Sequence, residues 1–162
     1  MEKVNIGNNV FIYPMAVTLV GSLVLGKANF MTVGWVARVN ANPPMLAVSL
    51  NKVHYTPGGI RETQTFSVNF PSADMVEKTD YCGLVSGKKT DKSAVFQVFY
   101  GELETAPMIE ECPLCIECKL ADTCELPTNY LFIGQIAGAY AEKGILTEGQ
   151  PDVKKINPLI LT

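Results

Sequence analysis

Three stretches of this chain carry residue types that could do chemistry. The first is Gly83-Leu84-Val85-Ser86-Gly87-Lys88-Lys89-Thr90. Its glycines, hydroxyls and lysines suit a phosphate. A nucleotide-hydrolysing loop, however, needs four residues between the glycines, a strand before it and a helix after it. Here three residues separate the glycines and a helix is expected to precede them. Two readings stay open, a phosphate contact beside a helix start or a solvated basic turn. The second stretch is Cys112-Pro113-Leu114-Cys115-Ile116-Glu117-Cys118, with Cys124 beyond it. The spacing suggests zinc or an iron–sulfur cluster. Strand alternation from Leu114 opposes this, because Ile116, Cys118 and Leu120 share one face and Cys115 and Glu117 the other. Thiolates on opposite faces of one strand do not converge, so buried structural cysteines and no metal are expected. The single His54 cannot form a multi-histidine site, and it reads as a structural residue or a ligand contact. No Gly-x-Ser-x-Gly elbow and no paired carboxylates assign a catalytic residue.

The third stretch is Asn29-Phe30-Met31-Thr32-Val33-Gly34-Trp35. Trp35 is the only tryptophan, and a core position is its default reading. Yet amide, hydroxyl and glycine interleave with bulky residues, which is unusual for a strand buried on both faces. Such a mixture suits a planar heteroaromatic ligand.

The elements that must position these residues are short and β-rich. Ala16–Val24, Phe30–Arg38, Met45–Leu50, Thr65–Phe70, Leu114–Cys124 and Tyr130–Tyr140 read as strands, bounded by Gly, Pro and Asn. Thr56 is expected to cap a helix, with Pro57 at its first position, running to about Glu62. Ser72 is expected to cap a helix through Tyr81, and Asp91 one over Lys92–Gln97. There is no regular strand–helix alternation, so the expected fold is mostly β, a barrel or sandwich with short peripheral helices. At 162 residues and 48% hydrophobic composition the chain suits one domain, residues 1–162, with a sizeable core. A net charge of −3 offers no footprint for nucleic acid. Val4 to Gly26 is free of formal charge, but asparagines and Pro14 interrupt it, so neither a membrane span nor a signal segment is expected. Five cysteines exclude a complete internal disulfide set and favour a reducing, cytoplasmic location.

The motifs, in order, resemble the flavin reductase-like, flavoredoxin-type family. The resemblance rests on the Asn29–Trp35 stretch, Asn42-Pro43-Pro44-Met45 through Leu50, and His54-Tyr55-Thr56. It continues through Ser67–Ser72, Tyr81–Gly87 with Asp91-Lys92, Ala106–Pro113 and Leu131–Ile136, so that it spans about Pro14 to Leu161. It implies an FMN-binding split β-barrel with Greek-key topology. It also implies a homodimer with FMN near the subunit interface. Hydride would pass from NADH or NADPH to FMN, and electrons onward to a flavin, a ferric complex or a small electron-transfer protein. A flavoredoxin-like electron carrier without NAD(P)H activity of its own is the alternative. By the same resemblance Asn29, Met31, Thr32 and Trp35 face the isoalloxazine and ribityl chain. Ser49, Leu50 and Asn51 lie beside the flavin. Thr56, Ser86, Gly87 and Lys92 approach its phosphate. The absence of a Gly-x-Gly-x-x-Gly motif means that a nicotinamide would dock transiently on the flavin. The family usually continues past Leu161, so either a trimmed end or a short protein is expected, with less C-terminal covering of the flavin site and less dimer contact.

Overall fold

The computed structural model describes residues 1–162. Seven strands form one antiparallel sheet: β1 (Thr18–Val24), β2 (Lys27–Val33), β3 (Val36–Asn40), β4 (Met45–Asn51), β5 (Thr65–Phe70), β6 (Leu114–Glu125) and β7 (Asn129–Ala141). Their order across the sheet is β2-β1-β5-β6-β7-β4-β3. The outermost strands, β2 and β3, are therefore neighbours in sequence, joined only by Gly34 and Trp35. A link that short spans at most about 11–14 Å. The sheet must curl until its two edges nearly meet, and β2 approaches β4 without hydrogen-bonding to it. The result is a barrel with one unzipped seam, mostly β as expected.

The expected strand Phe30–Arg38 is thus two strands. At Gly34 and Trp35 the chain leaves one edge and joins the other, where Ser49 N donates to Trp35 O at 3.0 Å. The expected first strand also divides. Met15–Ala16 pairs with Ile160–Leu161, tying the start of the chain to its end.

Side chains on the two faces of the sheet form separate cores. Val20, Val48, Leu50, Phe66, Val68, Cys118 and Phe132, with Ile60, fill the barrel. Leu19, Phe30, Met75, Cys82, Phe96, Met108, Cys112 and Cys115 pack outside it. Cys115 and Cys118 therefore lie in different cores, as strand alternation requires. Register shifts near Ile133/Gly134 and Ile136/Gly138 bend the long β6–β7 ladder around the barrel.

Helix α1 (Thr56–Thr63) begins with Tyr55 at its N-cap and no side-chain cap bond. Thr56 is not the cap, because its hydroxyl accepts from Asn29 Nδ2 at 2.9 Å instead. Residues Ala73–Met75 form a single 3₁₀ turn leading into α2 (Val76–Leu84). Ser72 does not cap it, since its hydroxyl is engaged with the Asp74 carboxylate. The helix expected after Asp91 is absent. Asp91 accepts from Ser93 N at 2.9 Å and pairs with Lys27, while Val95 N to Lys92 O closes only one turn. The burial of Lys92 holds this segment against the barrel in place of a helix. A final short helix, α3 (Val153–Ile156), is capped by Asp152, whose carboxylate accepts from Lys154 N.

Glu117 is the one carboxylate with no solvent exposure. It accepts from Glu102 N and Leu103 N, each at 2.9 Å, and from Tyr140 Oη at 2.8 Å. The loop after Gly101 is thereby fastened to β6 and β7. Glu117→Ala leaves Leu103 N unpaired and Glu102 N with only the longer bond to Tyr140 Oη at 3.3 Å, and should lower the unfolding free energy by about 2–4 kcal/mol in urea titration. Trp35, by contrast, is 50% exposed and not a core residue. Trp35→Ala should therefore cost below about 1.5 kcal/mol in the same experiment, well short of the 3–5 kcal/mol typical of a buried ring.

Candidate functional site

Two adjoining cavities lie along the seam. One, of about 120 Å³, lies between β2, the start of α1 and the loop after α2, and is lined by Asn29, Met31, Thr56, Ser86, Gly87 and Lys92 among others. A second, of about 310 Å³, lies where β2, the Gly34-Trp35 link and β4 converge. It is lined by Met31, Thr32, Trp35, Ser49, Leu50 and Asn51, with Asn129 and Phe11. Met31 and His54 line both, so the two form one groove. The residues that the resemblance assigns to a flavin all line it: Thr56, Ser86, Gly87 and Lys92 at one end, where Asn29 also stands and not with the ring candidates, Thr32, Trp35, Ser49, Leu50 and Asn51 at the other, and Met31 at both.

The polar groups of the groove are arranged alike at both ends. Thr56 Oγ1 accepts from Asn29 Nδ2 at 2.9 Å, and Ser49 Oγ accepts from Asn129 Nδ2 at 3.2 Å. Each hydroxyl has its acceptor role filled by a carboxamide, which leaves its O–H to donate into the groove. Asn29 is only 5% exposed, and its Oδ1 has no partner. Buried polar atoms are rarely left so, and an orphan acceptor lining a cavity matches a ligand hydroxyl. Gly87 packs directly on it, and a Cβ there would collide with Asn29 Oδ1 and the Tyr55 ring.

Thr32 lines the ring end, but its hydroxyl donates to the Thr79 carbonyl on α2, so it offers the groove its methyl face. Lys92 is 3% exposed. Its ammonium donates to Phe30 O at 3.1 Å and to Cys82 O at 2.8 Å. Burial pushes its pKa down, with Cys82 opposing the shift. Lys92 thus bolts β2 to α2, with one N–H left over. The residues that sequence reasoning passed over are Tyr55, Asn129, Phe11 and Met15, each lining a cavity of the seam. His54, which the sequence reads as a structural residue or a ligand contact, stands where the two ends of the groove meet.

The thiols do not form a centre of their own. Cys82, Cys112, Cys115 and Cys118 are buried and Cys124 is exposed. Burial pushes the Cys118 thiol up to about 12, with Glu117 adding to it. A hydrogen bond with Cys115 and burial push Cys112 up as well. Thiolate is the reactive form. Alkylation of the folded protein at pH 8 should therefore add one group, at Cys124, by mass spectrometry; rapid labelling at Cys112 or Cys118 would contradict this packing.

Residues 10–160 match the family model described as flavin reductase like domain. Among solved structures the chain is similar to a flavoredoxin from Methanosarcina acetivorans, at 64% identity and TM-score 0.98, covering 100% of this chain and 87% of that one. It is also similar to the flavoredoxin of Desulfovibrio vulgaris (Miyazaki F), at 34% identity and TM-score 0.90, covering 98% and 87%. An uncharacterized protein of Archaeoglobus fulgidus is 28% identical over 145 residues, 88% of this chain and 81% of that one.

Proposed function

Since the chain belongs to the flavin reductase-like family, we propose that it is an FMN-binding oxidoreductase. In this reading electrons pass from NADH or NADPH through the flavin to a flavin, ferric or protein acceptor. The observation that carries it is the continuous groove along the seam. It has a wide end between β2 and β4 for a planar ring and a narrow end of hydroxyls, backbone amides and an ammonium for a phosphate. When bound, FMN supplies reversible electron and hydride transfer, so the chain itself needs no acid–base pair.

The chain's own residues bind and orient. Thr56 donates its hydroxyl proton to the phosphate, supported by Ser86, the amides near Gly87 and the remaining N–H of Lys92. The orphan Asn29 Oδ1 accepts from a ribityl hydroxyl. Ser49 Oγ–H donates to a polar atom on the ring edge, and Leu50, Trp35 and Met31 give the ring apolar contact. The groove lies at the molecular surface, which gives a nicotinamide or an acceptor access. A second copy of the chain is the partner of choice for the exposed apolar side chains of Phe11, Ile12, Trp35, Val39 and Leu161 beside it. Homodimerisation in this family-typical way would cover the open side of the ring end.

A second reading has its own support. The chain is 64% and 34% identical to two flavoredoxins, which favours an electron carrier that takes its electrons from another protein and not from NAD(P)H. The location proposed for either is the cytoplasm. No helix is long and apolar enough to cross a membrane.

The visible spectrum of the protein with FMN, followed anaerobically on adding NADH and NADPH, separates these readings. Bound flavin that bleaches identifies the oxidoreductase and its donor. Bound flavin that stays oxidised identifies the carrier. Protein that does not bind FMN at all would overturn both. Thr56→Val should weaken FMN by about 1.5–3 kcal/mol, the range for a hydrogen bond to a charged group. Gly87→Ala should weaken it at least as much, because the new methyl displaces the Asn29 carboxamide and the Tyr55 ring. Fluorescence titration of the flavin measures both, and unchanged affinity in both would remove this end of the groove from the site.

A further inference from the structure

One motif of the sequence takes no part in the groove, the run Cys112-Pro113-Leu114-Cys115. Its spacing is that of dithiols that open and close as disulfides. The chain bends at Cys112 and Pro113 before β6 begins at Leu114. Cys115 Sγ lies 3.3 Å from the Ile109 carbonyl oxygen and 3.8 Å from that of Cys112. It therefore sits inside the turn that carries its neighbour, and the two thiols are hydrogen-bonded to each other. Cys118 lies in the other core and Cys124 at the surface, so neither belongs to the pair.

The two positions differ in how firmly they are held. Cys115 is fixed in the ladder on both sides, opposite Asn69 of β5 and Tyr140 of β7. Cys112 lies outside any strand, in a turn closed by Cys112 N to Ile109 O at 3.2 Å. Next to it, Glu111 accepts from Gln97 N at 3.1 Å and from Lys78 Nζ at 3.3 Å. Exposed contacts of this kind hold weakly, so the turn can open while the sheet stays closed. The surroundings of the closed pair are apolar, with Phe30, Phe96 and Met108 in the same core. They penalise a thiolate and accept a disulfide, which carries no charge. As enclosed thiols the two cysteines are inert, and the bond between them is the chemistry their placement allows.

We propose that Cys112 and Cys115 form a reversible disulfide by exchange with a low-molecular-weight disulfide. When the turn opens, Cys112 gives its proton to solvent and its thiolate attacks one sulfur of the reagent. The S–S bond of the reagent breaks, and one half leaves and takes up a proton. Cys115 then gives its proton to solvent and attacks Cys112 Sγ, and the second half leaves in the same way. Two protein thiols are oxidised and one disulfide is reduced to two thiols. The exchange needs no flavin, so it stands or falls separately from the function proposed above.

The test uses the full chain with Cys124→Ser, which removes the exposed thiol and leaves four of the five cysteines. The folded protein is incubated anaerobically at pH 8 with millimolar oxidised glutathione, then denatured, alkylated and mapped by mass spectrometry. Two thiols should escape alkylation, and the peptide holding Cys112 and Cys115 should be lighter by two hydrogens. Dithiothreitol should restore all four thiols, and the circular dichroism should stay native throughout. Adding Cys115→Ser should trap glutathione on Cys112, whereas adding Cys112→Ser should leave Cys115 unmodified. Four free thiols after the incubation would overturn the proposal, as would a bond that includes Cys82 or Cys118. Loss of the native spectrum before the bond forms would also overturn it, because the exchange would then belong to the unfolded chain. Glutathione trapped on Cys115 and not on Cys112 would overturn the order of attack.

Discussion

The two-residue link between β2 and β3 is the constraint on which the rest of this structure depends. It joins strands that stand at opposite edges of a seven-stranded sheet. A flat or gently twisted sheet would separate those edges by six inter-strand spacings of about 4.8 Å each. Gly34 and Trp35 cannot bridge that gap, so the sheet must roll. Once it rolls, one set of side chains faces inward from nearly every strand, and Phe66, Phe132 and Leu50 meet in the barrel. The other face of β1 and β2 is left to be covered by α2 and the segment from Phe96 to Cys115.

The same link creates the site. Hydrogen bonding cannot continue from β2 to β3 where the chain itself crosses over, so a seam is left. Its walls come from strands with quite different neighbours. β2 is held from behind by α2 through Thr32 and Lys92, whereas β4 is held by β7 and β3. Because each wall is braced independently, the groove keeps its width without a ligand spanning it. The paired carboxamides Asn29 and Asn129 then orient the hydroxyls of Thr56 and Ser49 toward the space between. Preorganised donors of this kind lower the ordering cost of binding.

Much of this was legible in the sequence, and the exceptions have physical reasons. The β-branched and aromatic runs of β1, β4, β5, β6 and β7 were readable because Gly, Pro and Asn punctuate them. The break at Gly34 was not. A glycine inside an apolar run does not distinguish a strand that continues from one that changes sheet edge, and that choice is made by distant pairing. Trp35 read as core for a similar reason, since its size says nothing of which side of the link it occupies. Asp91 has the residue type of a helix cap, yet the burial of Lys92 one position later overrode it. The partners of Lys92 are carbonyl groups of Phe30 and Cys82, which any residue could supply, so no sequence pattern marks them. The opposite faces of Cys115 and Cys118 were readable, because strand alternation is local. The bond between Ser49 and Asn129 spans 80 positions and was not.

The seam also bears on how the molecule moves. Every other strand boundary in the sheet is held by a hydrogen-bonded ladder, and only this one is held by side chains and by whatever lies in the groove. A bound molecule touching both β2 and β4 acts as a removable rung, replacing amide pairing that the topology forbids. Its arrival would slow hydrogen exchange along the facing edges of those strands and leave the β6–β7 ladder unaffected. The protein would thus report occupancy of its groove through the mobility of its backbone at one boundary, with no change of fold.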